Sequence, residues 1–137
     1  MKNILLILAL FPKVVGDSEF KSVDQITQHS ENNTEIVTLT TYTPLSGETD
    51  ASPNITASGF RIDIKNPRRH KIIAVSRDLK RKWKFNQKVR IRKAGKYNGV
   101  YTIKDVMNKR HKKTIDILVG PKEKPIKLRN VQVTLLK

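Results

Sequence analysis

The 137-residue chain has no cysteine. Disulfides and thiolate metal sites are therefore excluded, as is an anchor carried on a lipid-modified cysteine. It also lacks any apolar run long enough to cross a bilayer, which takes roughly 20 residues. The longest run is 4-ILLILALF-11, preceded by Lys2 and followed by 12-PKVVG-16. A positive residue, a short apolar stretch and small residues at Val14 and Gly16 read as a secretory signal, residues 1–16, with the mature chain starting near Asp17. Export to the periplasm, cell envelope or outside follows. No phosphate-cradling glycine loop and no G-x-S-x-G nucleophile motif occurs. The three histidines, His29, His70 and His111, have no metal-ligand spacing. No metal and no cofactor is expected.

Acidic residues are scarce in one part of the chain only. Residues 1–58 hold three Lys/Arg against seven Asp/Glu, a net of −4, whereas residues 59–137 hold the other 25 basic residues against five acids, a net of +20, giving the chain's +16. Such a field gathers polyanions and speeds their encounter, most strongly at low salt. Nucleic acid, an anionic membrane surface and cell-wall polymer all qualify. Export and the absence of any nucleic-acid-binding signature make nucleic acid the least suited of the three.

What is present is a series of short β-branched segments. Residues 17–34 are polar and acidic and read as a flexible leader. Beyond them come 35-EIVTLTTYT-43, 60-FRIDI-64, 71-KIIAVS-76, 88-KVRIRK-93, 99-GVYTIKDVM-107, 114-TIDILV-119 and 130-NVQVTLL-136. Val89 and Ile91 alternate with Arg90 and Arg92, and Val131, Val133 and Leu135 with Gln132 and Thr134. This is the period of half-buried strands. Gly and Pro punctuate the series. Six or seven such strands predict a small all-β barrel or sandwich over residues 35–137, with its core made by burial alone. One helical stretch is predicted, 76-SRDLKRKW-83, with Ser76 as cap and Asp78 in the first turn.

Five acids follow position 58: Asp63, Asp78, Asp105, Asp116 and Glu123. In 114-TIDILV-119, Ile115, Ile117 and Val119 share one face and Asp116 and Leu118 the other. Asp116 therefore points to solvent or into a surface cleft. Strands disfavour Asp by tenths of a kcal/mol, so the position asks for a reason. A solvated Asp beside lysines satisfies the pattern; so does a general acid in a cleft. Trp83, Phe85, Tyr97 and Tyr101 lie among cations and either stack on sugar rings or bases or pack on the core.

Several segments, in order, resemble the three-aspartate (3D) domain of the double-psi β-barrel superfamily. These are 40-TTYTP-44, 55-ITASG-59, 72-IIAVS-76, 86-NQKVRI-91, 101-YTIKD-105 and 114-TIDIL-118. The superfamily includes lytic murein transglycosylases, rare-lipoprotein-A-type proteins, expansins and certain endoglucanases. The resemblance covers residues 35–136 and implies a six- to seven-stranded double-psi barrel. It implies that Asp105 and Asp116 match the family's second and third aspartates. Asp116 would be the catalytic acid and base at the bond between N-acetylmuramic acid and N-acetylglucosamine. Asp105 would orient the sugar or act on Asp116 through its like charge. Tyr42, Thr43 and Thr56 match cleft-lining positions. The family's first aspartate falls on Ser76, with Asp78 two residues on, and 106-VMNKRHKK-113 replaces the usual glycine-rich stretch. The expectation is a monomeric, secreted, peptidoglycan-active protein whose binding positions also include Ser76, Asp78 and Trp83. The other readings are a non-catalytic module binding the same anionic cell-wall glycan, and a basic polyanion binder.

Overall fold

The computed structural model describes residues 33–44 and 54–137. The expected signal, residues 1–16, and nearly all of the expected leader, residues 17–34, lie outside the described residues. Six strands form: β1 (Thr34–Tyr42), β2 (Ile72–Val75), β3 (Lys88–Arg92), β4 (Gly99–Val106), β5 (Thr114–Leu118) and β6 (Lys127–Leu135). They close into a barrel in the order β1-β5-β2-β4-β3-β6. The fold is thus a small all-β barrel, one of the two architectures that the alternation allowed and the one that the resemblance implied. Two neighbouring pairs, β1·β5 and β2·β4, are parallel, and the other four are antiparallel.

Alternation fixes which side chains fill the interior. Leu39, Ile73, Val75, Val89, Ile91, Ile103, Ile115, Ile117, Val131 and Val133 form its centre, each no more than 1% exposed. A second apolar layer lies outside the sheet, made of Tyr42, Ile62, Ile72, Ala74, Met107 and Leu118, with Phe60 packed against it.

The segment 60-FRIDI-64, expected as a strand, is not one. Among the described residues it contributes only an isolated bridge, Ile55 to Arg61. A closed barrel leaves no strand edge for it to join. It turns instead over the outer layer, burying Ile62 while Ile64 stays exposed. The imidazole of His70 accepts the Asp63 N–H at 3.0 Å and packs edge-on against Phe60.

The helix, α1 (Arg77–Lys80), is a single turn, shorter than the expected 76–83. Ser76 occupies its N-cap position with an extended backbone, but its hydroxyl makes no capping bond. It accepts the Thr114 N–H at 3.1 Å instead, and the Ser76 N–H donates to the Thr114 carbonyl at 2.9 Å. These two bonds extend the β2·β5 ladder by one rung.

Two bulges bend the sheet. Between Val37 and Leu39, β1 advances two residues while β6 advances three, from Leu128 to Val131. The surplus is absorbed at Asn130, whose φ of 57° lies in the left-handed region that Asn tolerates. The second bulge lies between β2 and β4 and is described with the site.

One end of the barrel is tied by Glu35, which accepts hydrogen bonds from Lys82 Nζ and from Lys113 Nζ, the latter at 2.9 Å. These bonds, Lys82 first, hold the Glu35 carboxyl below its ordinary 4.5 against the opposing effect of burial. A lowered folded-state value stabilises the fold above the unfolded value and loses that contribution as pH falls through the folded value. Glu35→Gln is expected to cost about 0.2–1 kcal/mol at pH 7. The deficit relative to wild type should shrink below about pH 4, as seen in urea titrations at both pH values. Ser76 is 0% exposed. Ser76→Ala should cost more, about 1–3 kcal/mol at pH 7, because it strands the Thr114 amide.

Candidate functional site

The two aspartates of the sequence motif meet on the outer face of the barrel. In the sheet register, Thr40 of β1 stands opposite Asp116 of β5, and Asp116 opposite Ala74 of β2. Ala74 in turn stands opposite Asp105 of β4. On the far side, Thr40 faces Lys127 of β6. Directly opposed residues share a face. Lys127, Thr40, Asp116, Ala74 and Asp105 thus form one row across five adjacent strands. The strands carrying the two aspartates are separated only by β2, which sets their backbones about 10 Å apart. Ala74, the residue between them, has the smallest side chain of the row.

Asp105 reaches this row through the second bulge. From Ile73 to Ala74, β2 advances one residue while β4 advances two, from Ile103 to Asp105. The surplus residue is Lys104. Its amine donates to Asn86 and lies 5.2 Å from the centre of the Phe60 ring. The surplus residue turns Asp105 away from the barrel interior.

Three donors hold Asp105. Its Oδ1 accepts from the Ala57 and Val106 amides, each at 2.9 Å, and its Oδ2 from the Tyr42 hydroxyl at 3.3 Å. Asp116 Oδ1 accepts from the Thr40 hydroxyl at 2.9 Å. Both aspartates are half-buried. Tyr42 is buried, and burial drives its phenol well above the ordinary 10.0, reinforced by the negative charges of Asp105 and Asp116 and the hydrogen bond to Asp105. The phenol therefore remains a protonated donor under all ordinary conditions and links the two carboxylates electrostatically.

The loop carrying Ala57 is ordered by its own polar groups. The Thr56 and Ser58 hydroxyls are hydrogen-bonded at 2.9 Å, and Thr56 Oγ1 accepts the Phe60 N–H at 3.1 Å. Gly59 adopts φ 84°, a conformation that L side chains rarely take. The Ser58 N–H donates to the Lys104 carbonyl at 3.1 Å, clipping the loop to the bulge.

The other expected site residues have different places. Thr43 is 6% and Thr56 4% exposed, so both are buried, and Thr56 helps order the loop that carries Ala57. Trp83, expected at a sugar-binding surface, is 3% exposed and belongs to the interior cluster, so its ring presents no face to a ligand. Ser76 spends its hydroxyl on the Thr114 amide. The chain turns helical at Arg77, so Asp78 lies in α1 and does not continue β2. Its Oδ2 accepts the Lys113 N–H at 2.9 Å. Burial raises its carboxyl, but hydrogen bonds from Ser76 and from the Lys113, Asp78 and Leu79 amides outweigh this and leave it lowered.

Three contributors were not anticipated. Thr40 and Ala57 sit within the recognised motifs, and Thr40 shares a strand face with Tyr42, so alternation was able to reveal it. Lys127 enters by register alone. Beside the row, Arg77, Lys80, Arg81 and Val106 line a depression of about 400 Å³. It begins one residue past Asp105 and is cationic. Among the described residues no group of His, Cys, Asp or Glu is arranged to hold a metal ion.

Comparison of the chain with family models, with curated proteins and with solved structures finds no match.

A raised tyrosine stabilises the fold fully below its unfolded value and loses that contribution as pH climbs through the folded one. Tyr42→Phe removes both the Asp105 hydrogen bond and this titration. It should cost about 0.5–1.5 kcal/mol at pH 7. It should also show a shallower loss of melting temperature than wild type between pH 9 and about pH 11. Equal alkaline slopes would show that Tyr42 titrates normally.

Proposed function

We propose that the protein is an exported, peptidoglycan-active barrel of the double-psi type that cleaves glycan strands by lytic transglycosylation. The observation that carries this reading is the single row holding Asp116 and Asp105 on one outer face, with Tyr42 between their charges. The closed six-stranded order with parallel pairs β1·β5 and β2·β4 supports the double-psi assignment.

In this reading Asp116 is the acid. It gives its proton to the glycosidic oxygen as the bond from that oxygen to C1 of N-acetylmuramic acid breaks. The resulting carboxylate then takes the proton of the muramic 6-hydroxyl as O6 bonds to C1, closing a 1,6-anhydro ring. One carboxyl serves both steps, so a second at fixed separation is not needed. Asp105, occupied by three donors, acts as a positioning residue for the loop at Ala57 and for the Tyr42 phenol. The cationic depression at Arg77, Lys80 and Arg81 suits the carboxylates of the peptide stems.

A second reading is a non-catalytic glycan-binding module of the same fold. It is favoured by Ser76, which stands at the first-aspartate position, fully buried and without a carboxyl.

Purified sacculi distinguish the two. The enzyme releases anhydro-muropeptides detectable by mass spectrometry, and Asp116→Asn should lower that release about 10²–10⁴-fold, the usual worth of a general acid. Binding to sacculi without any fragment, by wild type and Asp116→Asn alike, identifies the module instead. Asp116→Asn clearing sacculi as fast as wild type removes Asp116 from the mechanism.

A further inference from the structure

The outer face of β3 carries Lys88, Arg90 and Arg92, all exposed, while Val89 and Ile91 between them are at most 1% exposed. Their cross-strand neighbours hold no acid. Lys88 faces Thr102, Arg90 faces Val100 and Thr134, and Arg92 faces Gln132. The acids of the described residues are engaged elsewhere. Glu35 holds Lys82 and Lys113, Asp63 pairs with Arg69, and Glu123 with Arg68. Asp78 takes the Lys113 amide, and Asp105 and Asp116 stand in the row described above. Three cations thus run in line, with no acid opposite them among the described residues.

In the closed order β1-β5-β2-β4-β3-β6, β3 and β5 lie three strands apart in either direction. The cationic line is therefore on the opposite side of the barrel from Asp116 and forms a second surface.

We propose that this surface binds a linear polyol-phosphate polymer, laid along β3 with successive phosphodiesters on Lys88, Arg90 and Arg92. The proposal rests on the cell-wall reading above, which supplies the setting in which such a polymer is met. Two features select this partner. One is period. Like-facing side chains of a strand recur every two residues, that is every six backbone bonds or about 6.8 Å. The phosphates of poly(glycerol phosphate) are also separated by six backbone bonds, so its extended repeat has closely similar length. Arginine forks suit phosphate oxygens. The other feature is the lack of rings on this face. The neighbours are Val100, Thr102, Gln132 and Thr134, while Tyr97, Tyr101 and Trp83 are each 3% exposed. Single-stranded nucleic acid relies on base stacking upon aromatic side chains, and none is offered here.

The test is a salt titration of binding to lipid-free poly(glycerol phosphate) by the purified protein. Wild type should lose affinity linearly in log salt. The variant Lys88→Thr/Arg90→Thr/Arg92→Thr keeps strand-forming residues at exposed positions, and its slope should be shallower by about 2, near 0.7 for each lost contact. The charge-matched control Lys109→Ser/Lys112→Ser/Lys122→Ser, at exposed positions away from β3, should keep the wild-type slope, and oligo(dT) of equal charge should bind more weakly. Equal losses in both triple variants would show an unspecific field and overturn the proposal, as would oligo(dT) binding as tightly as the polymer. Asp116→Asn should bind the polymer like wild type, so failure of the catalytic reading and failure of this one are read separately.

Discussion

Side chains on a strand alternate between two faces, and in a barrel one of those faces is sealed. Every placement in the site depends on that constraint and on the one residue that breaks it. Along β4, strict alternation would group Asp105 with Tyr101 and Ile103, whose side chains are at most 3% exposed. A carboxylate there would be buried with no cation and no water, at a cost of several kcal/mol. The surplus residue Lys104 shifts the phase, and Asp105 emerges opposite Ala74. The same bulge frees the Lys104 carbonyl to receive the Ser58 amide. Loop, carboxylate and sheet are thus locked by one irregularity, which is the usual use of a bulge beside a site.

The arrangement also accounts for two acids on strands of so cationic a chain. Asp105 forms no salt bridge to a lysine or arginine among the described residues, while Asp116 stands in the row beside Thr40. Both are hydrogen-bonded by neutral donors: hydroxyls of Thr40 and Tyr42 and amides of Ala57 and Val106. Glu35 holds Lys82 and Lys113, Asp63 pairs with Arg69 and Glu123 with Arg68, and Lys88, Arg90 and Arg92 lie along β3.

Much of this was legible in the sequence. The period-two pattern located all six strands, and in β5 it correctly set Asp116 against Ile115 and Ile117, because that strand is regular. Where local pattern and global closure compete, the pattern misleads. The residues of 60-FRIDI-64 have strand character, yet the closed ring of β1 to β6 has no edge to accept them, so their apolar members became a cover for the outer layer. Trp83 lies among Lys and Arg in sequence, but the turn after α1 points it inward, and burial of so large a ring outweighs its polar surroundings. The phase of Asp105 was illegible for a different reason. A bulge is a property of two strands in register, and no single segment records it.

A barrel of six strands has little surface to divide among tasks, and the closed order divides it well. Strands β5 and β3 oppose each other, so a polyanion lying along β3 does not cover Asp116. In the proposed reading, a line of cations beside Asp116 would favour its ionised form and draw the polymer across the row. Adsorption by charge and chemistry by a protonated carboxyl make opposite electrostatic demands. With the two surfaces half a barrel apart, more than a Debye length of about 8 Å through solvent in physiological salt, the proposed adsorption along β3 and the proposed chemistry at Asp116 would not interfere.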